Sequence, residues 1–307
     1  MTETRQFILK TLVYFDIFHY PLLKEELARF HGKICTPGEI ETELQSLLRE
    51  NRVFYIDGFY SLHSDIKLAA KRRRANKLAA GQMVTALKAS KILSGFPFVR
   101  GLAISGSLSK NYGTEEADID FFIITAANRL WVARTIMHCY KKLMFLTGRQ
   151  NWFCMNYYVD EAEPEIAEKN VYTATEIITL IPMFGKKALE HFMMANSWAR
   201  NYFPLHPGMV ATTPELKKGF SGRIIEKIFS GWPGNLLDNA LMKITDKRWA
   251  KKEHRQKKNE KGIRMGMSVS KHVSKPNPLF FQNMIVKQYQ DRVNRILMLQ
   301  NSRLKVE

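Results

Sequence analysis

The segment Gly101-Leu102-Ala103-Ile104-Ser105-Gly106-Ser107-Leu108-Ser109-Lys110 is followed by Ala117-Asp118-Ile119-Asp120-Phe121-Phe122-Ile123-Ile124, with ten residues between Ser107 and Asp118. The first apolar run, residues 98–105, is short and stops at Gly-Ser, which predicts a buried strand that ends in a turn. Gly106 tolerates a positive φ and lets an anion approach the backbone. The amides of Ser107 and Leu108 then open a short helix over residues 108–112, and successive amides at such a turn suit a phosphate. The Ser107 hydroxyl adds a donor, and Lys110 adds a charge one turn further on. Along the second run side chains alternate, so Asp118 and Asp120 share one face and Ile119 takes the other. Two carboxylates so placed are hard oxygen ligands of the kind a Mg²⁺ or Mn²⁺ ion takes.

The order strand, Gly-Ser, gap, Asp-x-Asp, strand resembles the signature of the nucleotidyltransferase superfamily of the DNA polymerase beta type. Ile104, Gly106 and Ser107 with Asp118, Ile119, Asp120 and Phe121 carry the resemblance, Ser105 being interposed between the apolar run and Gly106. It covers residues 65–160. It implies an α+β fold with a small mixed-sheet core and a Mg²⁺- (or Mn²⁺-) dependent, two-metal transfer of a nucleoside monophosphate from a nucleoside triphosphate to a hydroxyl acceptor. Gly106 and Ser107 would hold the β- and γ-phosphates with Lys110 as a secondary contact. Asp118 and Asp120 would be the catalytic, metal-holding pair.

That family usually places a third acid on the next core strand. Here a helix over residues 127–146 leads to a strand over 151–159, whose polar interior residue is Asn156. An amide ligates weakly and cannot act as a base at neutral pH. Asp160 heads the acidic run 160–165 and reads as part of a solvated loop. Glu176 follows Thr173 at capping-box spacing. Without a third acid the site would either use one metal or belong to a nucleotide- or nucleic-acid-binding scaffold that does not turn over, and these alternatives stay open.

The chain has 307 residues and a formal net charge of +18, which favours polyanionic partners: nucleotide, nucleic acid as acceptor, or an anionic membrane surface. Two basic clusters stand out, residues 67–77 around Lys71-Arg72-Arg73-Arg74 and residues 247–264, where Trp249 could stack on a base. The three cysteines, Cys35, Cys139 and Cys154, are widely spaced, so neither a disulfide framework nor a paired-cysteine zinc site is expected. With no leader pattern and no apolar stretch long enough to span a bilayer, a cytoplasmic protein is expected.

Residues 1–64 read as a winged helix. The third of its helices starts at Thr36-Pro37-Gly38-Glu39, and Asp57-Gly58 turns a terminal hairpin. Its third helix carries Glu39, Glu41, Glu43 and Glu50, which would repel phosphates. A packing or protein-interaction module is therefore expected rather than a DNA reader, and a winged-helix transcription regulator is the weakest of the three functions. A nucleotidyltransferase core over 65–165 and a helical C-terminal region over 166–307 complete the expected organisation. In that last region helices are expected over 174–184, 188–202, 215–229, 236–259 and 279–300. A polar break over 266–278 brings Ser268, Ser270, Lys271, His272 and Lys275 together.

Overall fold

The computed structural model describes residues 1–115, 118–148, 152–208, 212–216, 219–256, 266–276 and 278–303. Three helices open the chain: α1 (Glu3–Asp16), α2 (Lys24–Arg29) and α3 (Pro37–Arg49). The α3 start follows local chemistry. Thr36 Oγ1 accepts from the Glu39 amide, and the Glu39 carboxylate accepts from the Thr36 amide. The hairpin β1 (Phe54–Ile56) and β2 (Phe59–Ser61) turns at Asp57 and Gly58, both at positive φ, as a two-residue turn requires.

The long helix α4 (Ile66–Ser94) leads into β3 (Val99–Ile104) and β4 (Asp120–Thr125). The helix α5 (Leu130–Met144) then crosses over to β5 (Cys154–Asp160), which runs parallel to β4. A six-stranded mixed sheet results, in the order β6-β3-β4-β5-β8-β7. Both its faces are covered, and the period-two rule divides β4 cleanly. Phe121 and Ile123 pack with the α4 alanines, Trp131 and Met137. Phe122 and Ile124 pack with the N-terminal helices and with α6 (Val171–Ile178) and α7 (Lys186–Ala195). The N-terminal helices therefore share one apolar core with the sheet.

The C-terminal region, residues 166–307, departs from the all-helical expectation. The helix expected over 174–184 is instead α6 followed by β6 (Ile181–Phe184), which pairs with β3. Pro182 explains the break. The residue before a proline avoids the helical region, and proline is tolerated on an edge strand, which β6 is. The expected polar break over 266–278 is a hairpin, β7 (Met267–Val269) and β8 (Val273–Pro276), joined to the sheet through β5. Residues 166–307 thus supply three of the six strands. Their remaining helices are α8 (Phe220–Ile228), α9 (Gly231–His254) and α10 (Pro278–Arg303).

Candidate functional site

Gly106 lies where β3 leaves the sheet, at φ +68. The Ser105 amide donates to the Asp120 carbonyl at 2.9 Å, which holds the turn beside the start of β4. The approach is close: a Cβ on residue 106 would sit 2.5 Å from Asp120 Oδ2. Only glycine combines this backbone conformation with contact against a carboxylate. The turn and the Asp-x-Asp segment, separated by ten residues in sequence, therefore meet in space. Ser107 is exposed at the tip, and its carbonyl accepts from the Lys110 and Tyr112 amides. The expected helix over 108–112 is a single 3₁₀ turn, Leu108–Lys110, stopped by Asn111 in the left-handed region.

Ile119 is buried, Asp118 is exposed and Asp120 is half-buried, as alternation demands. Asp118 precedes the strand proper, yet the Ile119 carbonyl already accepts from the Cys154 amide at 3.1 Å. That bond sets Cys154 level with the carboxylates on the neighbouring strand. Burial, and then the adjacent Asp120 carboxylate, raise the Cys154 thiol above its ordinary range, so it is a neutral hydrogen-bond donor there. Tyr172 on α6 is likewise raised, first by burial and then by Glu176, with Asp120 among the further charges it feels. α6 thus overhangs the same face as the aspartates.

Lys110 is not left to solvent. Its ammonium lies 2.9 Å from Glu176 Oε1 and 3.1 Å from the Gly106 carbonyl. Glu176 is thereby tied to the turn. It does not cap α6, since Asn170 does so by accepting from the Thr173 amide, which corrects the capping-box expectation for Thr173 and Glu176. Tyr20 reaches across from the N-terminal module and donates to the Lys110 carbonyl at 2.5 Å. Beneath it Arg72, 1 % exposed, pairs with Glu26 at 2.7 Å and stacks 3.6 Å from the centre of the Tyr20 ring. One third of the Lys71–Arg74 triplet of arginines is therefore core. Arg73 and Arg74 stay at the surface, paired with Asp57 and Glu115, and Lys67, Lys71 and Lys77 are exposed, so only Arg72 of the first basic cluster is withdrawn into the core. A cleft of about 320 Å³ adjoins the turn between α4 and residues 112–115, walled by Lys71, Arg74, Tyr112 and Glu115.

The other third-acid candidates fall elsewhere. Asp160 pairs in register with Thr125, at the end of the β4–β5 pair opposite Asp120. It is not part of a solvated loop. It is 0 % exposed and accepts from the Asn128, Ala162 and Glu163 amides, and His272 Nδ1 lies 2.8 Å from its Oδ2. Asn156 is the extra residue of a bulge in β5, between the pairs Phe121–Met155 and Phe122–Tyr157; its side chain lies outside the described residues. The polar group expected at 266–278 is dispersed. His272 serves Asp160, and buried Lys275 pairs with Glu168 at 2.6 Å. Trp249 has Lys252 over its ring at 4.3 Å, while residues 257–264 of the second basic cluster fall outside the described part.

Asp118 and Asp120 together offer two carboxylates on one face. Among the described residues no group of three or more His, Cys, Asp or Glu could enclose an ion. Mg²⁺ commonly takes one or two carboxylates and completes its shell with water and phosphate oxygens. Asp118 and Asp120 fit that pattern. Tyr20, Cys154 and Tyr172 belong to no motif. Only the opening of the next strand at Cys154 carries a sequence signal, because parallel pairing to β4 brings that position level with Asp120. Comparison with protein-family models, with curated proteins and with solved structures gives no match.

Proposed function

We propose that the chain is a nucleotidyltransferase of the DNA polymerase beta type. It would use Mg²⁺ or Mn²⁺ to move a nucleoside monophosphate from a nucleoside triphosphate to a hydroxyl acceptor. The observation that carries the proposal is the contact of Gly106, at φ +68, with the Asp120 carboxylate. It brings a turn suited to phosphates within one residue's width of a carboxylate suited to their metal. In this scheme Gly106 and Ser107 receive the β- and γ-phosphates, and Asp118 and Asp120 hold the metal. A metal bound there neutralises charge that develops on the α-phosphate and leaving group. Lys110, held by Glu176, keeps the turn in shape and places positive charge beside it. The acceptor oxygen bonds to the α-phosphorus, the bond to the bridging oxygen breaks, and pyrophosphate leaves. The acceptor proton passes to solvent. Residues 1–64 act as a winged-helix-like module that braces the turn through Tyr20.

The test is release of pyrophosphate from each of the four nucleoside triphosphates with Mg²⁺ or Mn²⁺, in the presence of RNA, DNA and small hydroxyl acceptors. Asp120→Asn should lower the rate by on the order of 10²–10³-fold with an unchanged unfolding midpoint. Retained turnover in Asp120→Asn would sink the assignment.

A second reading is a nucleotide-binding scaffold that does not turn over. It is favoured by the commitment of Glu176 to Lys110, which leaves the described residues without a third carboxylate beside the pair. Metal-dependent thermal stabilisation by triphosphates, without pyrophosphate release under any acceptor, would select it.

A further inference from the structure

Away from the sheet end, α8 and the first half of α9 expose large apolar side chains at a spacing of four: Phe220, Ile224, Ile228, Trp232 and Leu236. Phe220 is 78 % exposed and Trp232 71 %. Singly exposed apolar residues need no explanation, but a series of this kind on consecutive helices does.

The helices that carry the series are held firmly. Glu226 on α8 accepts from both terminal nitrogens of Arg100, at 2.9 and 3.0 Å, and from the Phe98 amide at 2.6 Å. Arg129, buried at the start of α5, donates to the Phe229 and Gly231 carbonyls at 2.7 and 2.8 Å and to Asn235 Oδ1 at 2.5 Å. Asp238 of α9 accepts from the Val132 amide at 2.9 Å. Each helix therefore has an inward face fixed by buried polar contacts, and the apolar series lies outside those contacts.

Charge identifies the occupant. The same two helices expose Arg223, Lys227, Lys243, Lys247, Arg248 and Lys251, against the exposed acids Asp246 and Glu253. On α8 the apolar residues Phe220, Ile224 and Ile228 are flanked by Arg223 and Lys227, and on α9 Trp232 and Leu236 precede the cations of its second half. Exposed Trp, Phe and aliphatic side chains with Lys and Arg nearby settle into the interface of an anionic bilayer. A tryptophan suits the headgroup level, and lysine and arginine stems extend from there to the phosphates. A second copy of the chain would bring like cations together. A nucleic acid would use the cations but leave Ile224, Ile228 and Leu236 in water. We propose that α8 and α9 form a peripheral docking surface for an anionic phospholipid bilayer, independent of the nucleotidyl-transfer reading.

The test is co-sedimentation of the full chain with vesicles of phosphatidylcholine alone and of equimolar phosphatidylcholine and phosphatidylglycerol. Binding to the anionic vesicles is expected to exceed that to the neutral ones at least about tenfold and to weaken with salt. Ile224→Glu combined with Ile228→Glu should reduce anionic binding by about tenfold or more with the unfolding midpoint kept. Leu236→Gln serves as the second variant if that pair fails to fold. A blue shift of tryptophan emission on binding should shrink in Trp232→Phe. The proposal is overturned if the chain stays in the supernatant with anionic vesicles, or if the variants sediment as well as the parent. It is also overturned if sedimentation velocity without lipid shows a dimer that these variants dissociate, or if RNA binding is the property the apolar variants lose.

Discussion

The two ends of the parallel pair β4–β5 carry the same residue type in opposite circumstances. At one end Asp160 is sealed from water and saturated by three backbone amides and His272. At the other, Asp118 is exposed and Asp120 half-buried, against a glycine turn whose tip faces solvent. The closed end fastens α5, the acidic loop and the β7–β8 hairpin to the sheet. The open end is where the proposed cation and phosphates would bind. A buried carboxylate whose acceptor capacity is filled by its own chain has little left for a ligand. Position along the strand therefore separates the saturated Asp160 from the accessible Asp118 and the half-buried Asp120.

The comparison can be broken most directly at the open end. Gly106→Ala forces a Cβ onto Asp120 and adds left-handed strain of about 1–2 kcal/mol. It is expected to remove transfer, or metal-dependent triphosphate binding, as completely as Asp120→Asn, measured by pyrophosphate release and by thermal shift. Full retention of both in Gly106→Ala would mean that the turn and the aspartate do not act together.

At the closed end the expected effect is on folding. Asp160→Ala strands three amides and a histidine and should lower stability by about 3 kcal/mol in urea denaturation. Metal-dependent triphosphate affinity, measured below the transition, should stay the same. A loss of affinity without a loss of stability would reverse the roles of the two ends.

A smaller effect sharpens the open end. Glu176→Gln releases Lys110 from its ion pair, and triphosphate affinity is expected to rise about threefold to tenfold, with a steeper salt dependence. Unchanged affinity in calorimetry would confine Lys110 to bracing the turn.

The smallest effect is a control on acid titrations of either end. Burial, then Arg134, Lys141 and Lys142, hold His138 down at about 3. Burial, then Arg29 and Arg200, hold His206 at about 4. The unfolded chain binds protons at these sites below about 6.5 while the folded chain does not. Their contribution is thus fully present above that pH and is lost as the pH falls through 6.5 towards 4. His138→Gln should flatten the decline in urea stability between pH 7 and 5. An equally steep decline would assign the acid sensitivity to other groups.

Much of the local structure was legible without coordinates. The Thr36–Glu39 capping box, the Asp57-Gly58 hairpin, the strand before Gly106 and the alternation of Asp118, Ile119 and Asp120 all rest on contacts within a few residues. The positive φ expected at Gly106 is present, at +68, and its close neighbour is the Asp120 carboxylate. Illegible were the short strands β6, β7 and β8. Three or four residues, with a proline in β6 and in β8, carry too little periodicity to announce a strand. They exist because β3 and β5 offer backbone partners to β6 and β8, and β8 in turn pairs with β7.

What the sequence determined by itself is therefore the set of local devices: caps, turns, alternation and the glycine that permits a left-handed turn. Only the tertiary structure decided which charges are spent. Arg72 stands in a run that looks like a surface cluster and is core, because Glu26 and Tyr20 meet it from outside its own helix. Asp160 stands at the head of an acidic run and is buried, because His272 returns to it from more than a hundred residues away. Whether a charge faces solvent or an opposite charge is a property of the partners that folding brings to it. Those partners are encoded far from it along the chain.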